Sequence, residues 1–393
     1  MSGSATATGP RPIEAAEATG ITADRAAPGK RPRFRFVDEF RGLVGVLMLL
    51  GHCSYYFHFM WLQLDPLDPV FGDHGQFWLR YVGYLCAPGF LMMNGAMVWY
   101  SYHRRVQRGH GAWSARWHLI QRGLFLVLVQ ITWVNSSWGG FERFHPGHLG
   151  IIACIGLSMV ALTFLVHTRW PVRLAVALGC LAIHPLLLAI PYDVDTTWQR
   201  VLMQTFVDSG DWNKYPVIPW FVLATLGSVM ATGWIDVWKT TRRRVTMSLL
   251  VALAAFAVAT TVRMGRGYGN IWPFSELWSY SFVLDQKYPP SIYHVVWFFG
   301  AVVGGMAVIQ ALGRLWPRIT GWLGIVGRVP LFFYCVHIGI LGIFSKRIDI
   351  YYREGGELAV LVGLAVMLAV MLPLAAWFGG VKRRSKNYLI RMI

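Results

Sequence analysis

Long apolar runs separated by short polar stretches recur along most of the chain. About ten of them are long enough to cross a bilayer as an α-helix, which takes roughly 20 residues. Their centres lie near Leu47, Phe90, Leu126, Leu157, Leu178, Leu223, Ala252, Gly300, Phe333 and Val366. The pattern predicts an all-α polytopic membrane protein with about ten transmembrane helices around a central tunnel, or about eleven if the stretch 197–208 re-enters the membrane.

Basic residues cluster in every second connection between these runs. The basic connections are residues 30–35, 103–116, 167–173, 239–244, 314–318 and 382–386. The alternate connections are longer and richer in acidic and aromatic residues, and they cover residues 65–74, 138–148, 192–214, 263–291 and 346–357. Because Lys and Arg concentrate in cytoplasmic loops, both termini are predicted to be cytoplasmic.

The composition excludes an ordinary soluble domain. Of the 393 residues, 55% are hydrophobic and only 14% are charged, and the mean hydropathy is +0.45. Charged residues make up about a quarter of a typical soluble domain. The net charge of +17 would suggest nucleic acid in a soluble protein. Here the basic residues lie between apolar runs, so membrane lipid is the expected partner and nucleic acid is not.

The chain divides into three parts. Residues 1–32 are rich in Ala, Thr, Gly and Pro and contain no apolar core of a signal peptide, so they are predicted to be a disordered cytoplasmic tail. Residues 33–386 form the predicted membrane domain, and residues 387–393 form a short cytoplasmic C-terminus. The sequence leaves the oligomeric state open.

The first apolar run carries charged residues on one face. At about 100° per residue, Arg41 and His52 lie within roughly 20° of each other, and Asp38 lies about 40° off the same stripe. Ionisable residues inside a membrane helix usually face a protein interior or a water-filled cavity. The stripe is therefore either the wall of a reaction tunnel or a buried ion pair with a structural histidine.

Arginines stand at the predicted cytoplasmic ends of three different helices. Arg41, Arg122 and Arg328 together would form an anion site, because the planar guanidinium matches phosphate. Alternatively, each is an anchor whose side chain extends to the membrane surface. His337 lies deeper than Arg328 in the ninth helix, and Pro330 is expected to disturb the first turn of that helix.

The connections on the opposite side have a different chemistry. The segments WVNSSWGGFERFHPGH, DWNKYPVIPW and LDQKYPPS mix Trp, Tyr, Asn, Asp and Lys, which suits a sugar. The alternative is an aromatic belt with ordinary turn residues. No Gly-rich phosphate loop, His/Cys metal spacing or Gly-x-Ser-x-Gly elbow is present in the sequence, so neither a metal nor a serine nucleophile is proposed.

Several motifs in order resemble one family. They are VDEFRG, the Arg-x10-His spacing from Arg41 to His52, RGLFLVLVQITWVN, YPVIPW, KYPPS and GRVPLFFYCVHI. Together they resemble the transmembrane acyltransferase superfamily, from Arg33 to Lys382. The last three are typical of the branch with the heparan-α-glucosaminide N-acetyltransferase catalytic domain and its bacterial relatives.

This resemblance implies an enzyme of the bacterial inner (plasma) membrane type. It would move an acyl group, usually acetyl, from cytoplasmic acyl-CoA to a sugar or glycan on the other side. In the acyltransferase-3 branch the histidine of Arg-x10-His is essential, and it corresponds to His52. The heparan branch has Asn there and its proposed histidine several residues later, near His58. His52 is thus the first candidate and His58 the second, and a glucosamine acceptor does not carry over.

The expected roles follow from these positions. His52 is the predicted general base, with a covalent acetyl-histidine as the variant. Asp38 would orient Arg41, and Asn94 or Asn135 would stabilise the oxyanion. The predicted CoA-binding residues are Arg41, Arg122, Arg328 and His337, and the predicted acceptor-binding residues are Trp138, Lys287, Tyr288 and His58.

Two other classes of protein remain open from the sequence. A transporter or flippase would use Asp38, Arg41 and His52 for proton coupling. A scaffold subunit would keep these residues for structural reasons only. The absence of a recognisable internal repeat in the sequence argues mildly against a transporter built from two related halves.

Overall fold

The regular secondary structure of the described residues is helical. The structure, a computed structural model, describes residues 34–61, 74–144 and 146–393. The helices are α1 (Arg35–Phe57), α2 (His74–Gly83), α3 (Cys86–Gln107), α4 (Ala112–Val129), α5 (Asn135–Trp138), α6 (Ile151–Leu162), α7 (Trp170–Leu188), α8 (Thr197–Phe206), α9 (Val217–Ala231), α10 (Thr241–Met264), α11 (Tyr280–Val283), α12 (Ile292–Leu315), α13 (Pro317–Gly321), α14 (Leu323–Gly327), α15 (Pro330–Leu341), α16 (Glu357–Arg384) and α17 (Tyr388–Met392).

Among the described residues, three π-helical segments continue helices of this bundle. They are Gln130–Val134 after α4, Thr232–Val237 after α9 and Gly342–Arg347 after α15. No β-strand occurs within the described ranges, where pairing is limited to isolated bridges such as His58 with Gly355. The predicted tail, residues 1–32, and nearly all of the predicted connection 65–74 lie outside the described residues.

The helices identify an integral membrane protein. Within the described part of the chain, seven helices are long and apolar enough to cross a bilayer. They are His74–Gln107, Ala112–Trp138, Trp170–Leu188, Val217–Val237, Thr241–Met264, Ile292–Leu315 and Glu357–Arg384. An eighth span results if the pair Pro317–Gly327 and Pro330–Arg347, which is bent by 76°, is counted as one.

Every predicted centre falls inside a helix, but the predicted count of about ten spans is not confirmed. Leu47 lies in α1 and Leu157 in α6, and neither helix belongs to the set of candidate spans. Helix α6 has only 12 residues. Helix α1 has 23 residues, but its first two turns contain four charged side chains. The segment expected as an eleventh crossing contains α8, whose 10 residues are about 15 Å long and too short to span.

Helix α1 lies at the centre of the bundle. It packs against α2, α3, α12, α14, α15 and α16, which come from most of the length of the chain. Gly42 and Gly327 form its contact with α14, where the backbones meet without intervening side chains. A Cβ atom at Gly42 would overlap the carbonyl of Leu323, and one at Gly327 would overlap the carbonyl of Asp38. Small residues permit this close approach of membrane helices.

Polar contacts secure the charged end of α1. The guanidinium of Arg35 donates through Nε to Glu39 Oε1 at 2.7 Å and through Nη2 to the Pro317 carbonyl at 2.6 Å. The hydroxyl of Thr320 also donates to Glu39 Oε1, at 2.8 Å. Because these bonds join α1 to α13, the start of the first helix is held in register with the bent pair.

The break at Pro330 differs from the sequence-based expectation. Pro330 is the first residue of α15 and leaves the first turn of that helix intact. Proline is well tolerated there, because its missing N–H would have no partner inside the helix. The disturbance precedes it, so Arg328 lies in the bend and His337 lies two turns into the following helix.

The α1–α14 contact predicts a specific sensitivity. We expect Gly327→Ala to lower the thermal unfolding temperature of the detergent-solubilised protein, because the new methyl group forces α14 away from α1, a strain of about 1–3 kcal/mol. Gly179→Ala in α7 is the matched control, since nothing lies within 4 Å of its Cβ position. Equal unfolding temperatures for the two variants would contradict the close contact.

Candidate active site

A large cavity lies beside α1 and collects most of the predicted site residues. Its volume is about 2350 Å³. The predicted site residues in its lining are Asp38, Arg41, His52, Asn94, Arg122, Asn135, Trp138, Lys287, Tyr288 and Arg328. His58 and His337 are not part of this lining. The lining follows the whole length of α1, from Arg35 at its start to Trp61 just beyond its end.

A hydrogen bond between two histidines lies in the middle of this region. His52 Nδ1 is 2.8 Å from His337 Nε2, and the residues are 285 positions apart in the chain. His337 Nδ1 is 2.5 Å from the carbonyl oxygen of Phe333, one turn earlier in α15. His337 is fully buried behind His52. The sequence suggested a donor-binding role for His337 but did not predict this pairing.

The carbonyl of Phe333 determines the tautomers of both rings. A carbonyl oxygen only accepts, so Nδ1 of His337 carries a proton. In the neutral ring Nε2 then has a lone pair, and Nδ1 of His52 must donate to it. Nε2 of His52 is left without a proton. Among the described residues, this nitrogen has no hydrogen-bond partner. It is not sealed inside the protein, so it is accessible to a molecule in the cavity.

Aromatic rings surround His52 on the cavity side. The ring centroid of Trp138 lies 5.1 Å away and that of Tyr334 lies 5.8 Å away, both edge-on. Tyr55 packs edge-on against Trp138 at 5.0 Å. Sequence analysis missed Tyr334, although it precedes His337 by three residues and positions three apart share a helix face.

The Arg41 end of the cavity is strongly cationic. Arg41 and Arg122 come from different helices, and both line this end of the cavity. Arg328 donates through Nε to the Gly324 carbonyl at 2.8 Å and also faces this cavity. Guanidinium groups in this number have the donors and the charge to bind an anion with several negative charges. Further basic side chains that line this end, and that the sequence grouped only as a basic connection, are Arg104, Arg105 and Arg108.

The two candidate asparagines have different surroundings. Asn94 donates through Nδ2 to the Ile155 carbonyl at a long 3.4 Å. Asn135 accepts from Gln130 at 2.8 Å and donates to the His148 carbonyl at 2.8 Å. The amide of Asn135 is therefore used to hold the segment after the π-helical turn, whereas the amide of Asn94 is more loosely held.

The opposite end of the cavity combines aromatic residues with lysine. The Lys287 ammonium lies 4.3 Å from the ring centroid of Tyr84 and 5.1 Å from that of Tyr288. The hydroxyls of Tyr215 and Tyr288 are 2.8 Å apart. Desolvation raises the pKa of the Tyr215 phenol, and Tyr288 raises it further.

The second phenol of this pair behaves differently. Desolvation acts to raise the pKa of Tyr288, but the Lys287 ammonium and the hydrogen bond with Tyr215 bring that pKa below its ordinary value. Either hydroxyl of the pair can donate to the other. The two tyrosines form a fixed wall next to Lys287.

His58 is held away from the cavity. Its Nδ1 accepts from the Met60 N–H at 3.2 Å, and its ring stacks on Phe59 with centroids 5.3 Å apart. The backbone around it pairs with the segment before α16, where the Phe59 N–H donates to the Gly355 carbonyl at 2.9 Å. These contacts favour a structural position for His58 at the end of α1.

The protein is thus a helical membrane bundle in which one histidine of a hydrogen-bonded pair and several arginines line the same cavity. Residues 33–248, more than half of the chain, match the family described as heparan-alpha-glucosaminide N-acetyltransferase, catalytic, and the chain belongs to this family. Membership implies transferase activity, and the resemblance found in the sequence is confirmed. No curated protein matches the chain. The match includes His52 but ends before Lys287, Arg328 and His337.

Proposed function

We propose that this protein transfers an acetyl group from cytoplasmic acetyl-CoA to a hydroxyl or amine of a sugar on the other side of the membrane. The observation that carries the proposal is the unprotonated Nε2 of His52, which borders a cavity with arginines toward one end and aromatic residues with lysine toward the other. Family membership supports the acetyltransferase chemistry. The proposal also places the protein in a bacterial inner membrane, with about ten helices that cross it and both termini in the cytoplasm.

Arginine residues would hold the donor. We assign the phosphates of CoA to Arg41, Arg122 and Arg328, because charge-assisted bonds from guanidinium to phosphate are among the strongest in proteins. Asp38 lies one turn before Arg41 on the same helix and would orient it. The pantetheine arm would then extend along α1 and bring the thioester to His52, about three turns further on.

In the transfer step His52 acts as a general base. Nε2 of His52 takes the proton from the acceptor hydroxyl or amine while the acceptor oxygen or nitrogen attacks the thioester carbon. The tetrahedral intermediate collapses as the C–S bond breaks, and the imidazolium returns the proton to the departing sulfur. The products are acetylated acceptor and free CoA. In the covalent variant Nε2 itself attacks the thioester, and the acceptor then takes the acetyl group.

The neighbouring polar residues take supporting roles. Asn94 is the better oxyanion donor, since the Asn135 amide is engaged with Gln130 and the His148 carbonyl. His337 is better suited to orient His52 than to contact CoA, because it lies buried behind that ring. His337 accepts a hydrogen bond from His52. It thereby resembles the third residue of a catalytic triad, which orients the general base.

Replacement of His52 tests the base directly. We expect His52→Ala to reduce kcat for acetyl transfer by about 10²–10⁴-fold with little change in KM for acetyl-CoA, because the alanine cannot accept the acceptor proton. The matched control is His167→Ala, which removes an exposed histidine outside the cavity. A purified His52→Ala protein with the normal rate would remove this mechanism.

Replacement of His337 tests the orientation of the base. We expect His337→Phe to lower kcat by about 10–100-fold, because His52 Nδ1 loses its acceptor and the tautomer is no longer determined. KM for acetyl-CoA should stay near the wild-type value. His337→Gln, which offers an oxygen to His52 Nδ1, should recover part of the rate. Equal rates for the two variants would indicate that His337 only fills space.

The donor site is tested through Arg122. We expect Arg122→Ala to raise KM for acetyl-CoA about tenfold and to weaken the thermal stabilisation of the solubilised protein by CoA, since one phosphate contact is lost. Arg169→Ala, an exposed arginine outside the cavity lining, is the control. Absence of any stabilisation by CoA in the wild type, together with stabilisation by a solute, would favour a transporter.

A further inference from the structure

The charges that line the cavity are distributed unevenly. Among the described residues, the acids in the lining are Asp38 and Glu39, and both lie at the start of α1. Glu39 is occupied by Arg35 and Thr320. At the other end the lining includes Lys214, Lys287 and Lys346. A molecule that enters from that end therefore meets positive charge from these three residues.

Lys287 is the most unusual of these cations. Its exposed fraction is only 9%. The ion pairs in the described part of the chain are Arg35–Glu39 and Arg263–Asp285, and neither involves Lys287. The ammonium is held between the rings of Tyr84 and Tyr288. Cation–π contacts offset part of the cost of burial, but a buried ammonium without a carboxylate retains a strong preference for an anion.

The position of Lys287 connects it to the reacting groups. Lys287 lines the same cavity as His52 and Cys86. Tyr288 links it to Tyr215 and thereby to the neighbouring Lys214, whose side chain is exposed. Lys346 is also exposed, in the π-helical segment after α15. The buried ammonium of Lys287 is thus accompanied by the exposed ammonium groups of Lys214 and Lys346.

We propose that the acceptor carries an anionic group, a carboxylate or a phosphate, that binds the ammonium of Lys287 while the sugar hydroxyl or amine faces His52. This inference rests on the proposed function and names the substrate class of the same site. Lys214 and Lys346 attract the anion toward the cavity, because positive charge around a concave entrance raises the local concentration of an anionic ligand. A neutral sugar binds more weakly, since it leaves the buried ammonium without a counter-charge.

Two methyl glycosides test this class of acceptor in the full-length detergent-solubilised protein. Methyl β-D-glucuronide and methyl β-D-glucoside share the ring and differ in a carboxylate against a hydroxymethyl group, and glucose 6-phosphate supplies the phosphate arm. Binding is measured by calorimetry and thermal shift at matched ionic strength. We expect at least one anion to bind about tenfold or more tightly than the glucoside, as for a charge-assisted bond.

Variants assign the preference to the lysine. Lys287→Met should abolish the preference for the anion and leave stabilisation by CoA unchanged. Lys239→Met removes an exposed lysine outside the cavity and should leave the preference unchanged. If only one of the two anions is preferred over the glucoside, that result identifies whether the site takes phosphate or carboxylate.

Other outcomes overturn the proposal. Equal affinity for anionic and neutral sugars, failure of both anions to bind, or retention of the preference in Lys287→Met would each contradict it. If Lys287→Met lowers kcat equally for anionic and neutral acceptors, the lysine stabilises the oxyanion instead. The CoA response is recorded in the same samples, so its loss in the wild type would remove acyl transfer without affecting the measured anion preference.

Discussion

The hydrogen bond between His52 and His337 is the contact on which the interpretation of this protein depends. It joins the first helix to a helix 285 residues later, and the Phe333 carbonyl directs its polarity. The pair requires α1 and α15 to meet at one depth. The glycine contact between α1 and α14, together with the bonds of Arg35 and Glu39 to α13, provides that register. An unprotonated Nε2 in an apolar bundle is therefore a property of the packing as a whole.

The same packing places two groups of cations, arginines and lysines, toward opposite ends of one cavity. Arg41 and Arg122 come from different helices and line the same end of the cavity, where Asp38 is also present. Lys287 lies in a different environment, between two tyrosine rings. A donor with several phosphates and an acceptor with a single anionic group would each find a matching surface, with the histidine pair between them.

The sequence allowed much of the architecture to be predicted, and the failures have physical causes. Apolar runs locate helices reliably, because a helix satisfies all of its backbone groups within a single segment. The number of crossings is harder to predict, since α1 carries charges that a central helix can bury and α6 is short. The placement of His337 was missed because Pro330 starts a new helix after a 76° bend, and no local pattern reveals the direction of that bend.

What the sequence by itself determined is which residues must avoid lipid. The cost of charge in a membrane and the helical repeat place Asp38, Arg41 and His52 on one protected face. Only the tertiary structure decided what this face meets. Distant segments meet in the pair of His52 with His337, in the shared cavity wall of Arg41 and Arg122, and in the contact of Lys287 with the Tyr84 ring. Periodicity acts within one helix, whereas such contacts depend on the close packing between helices, and the sequence carries no simple signal for that packing.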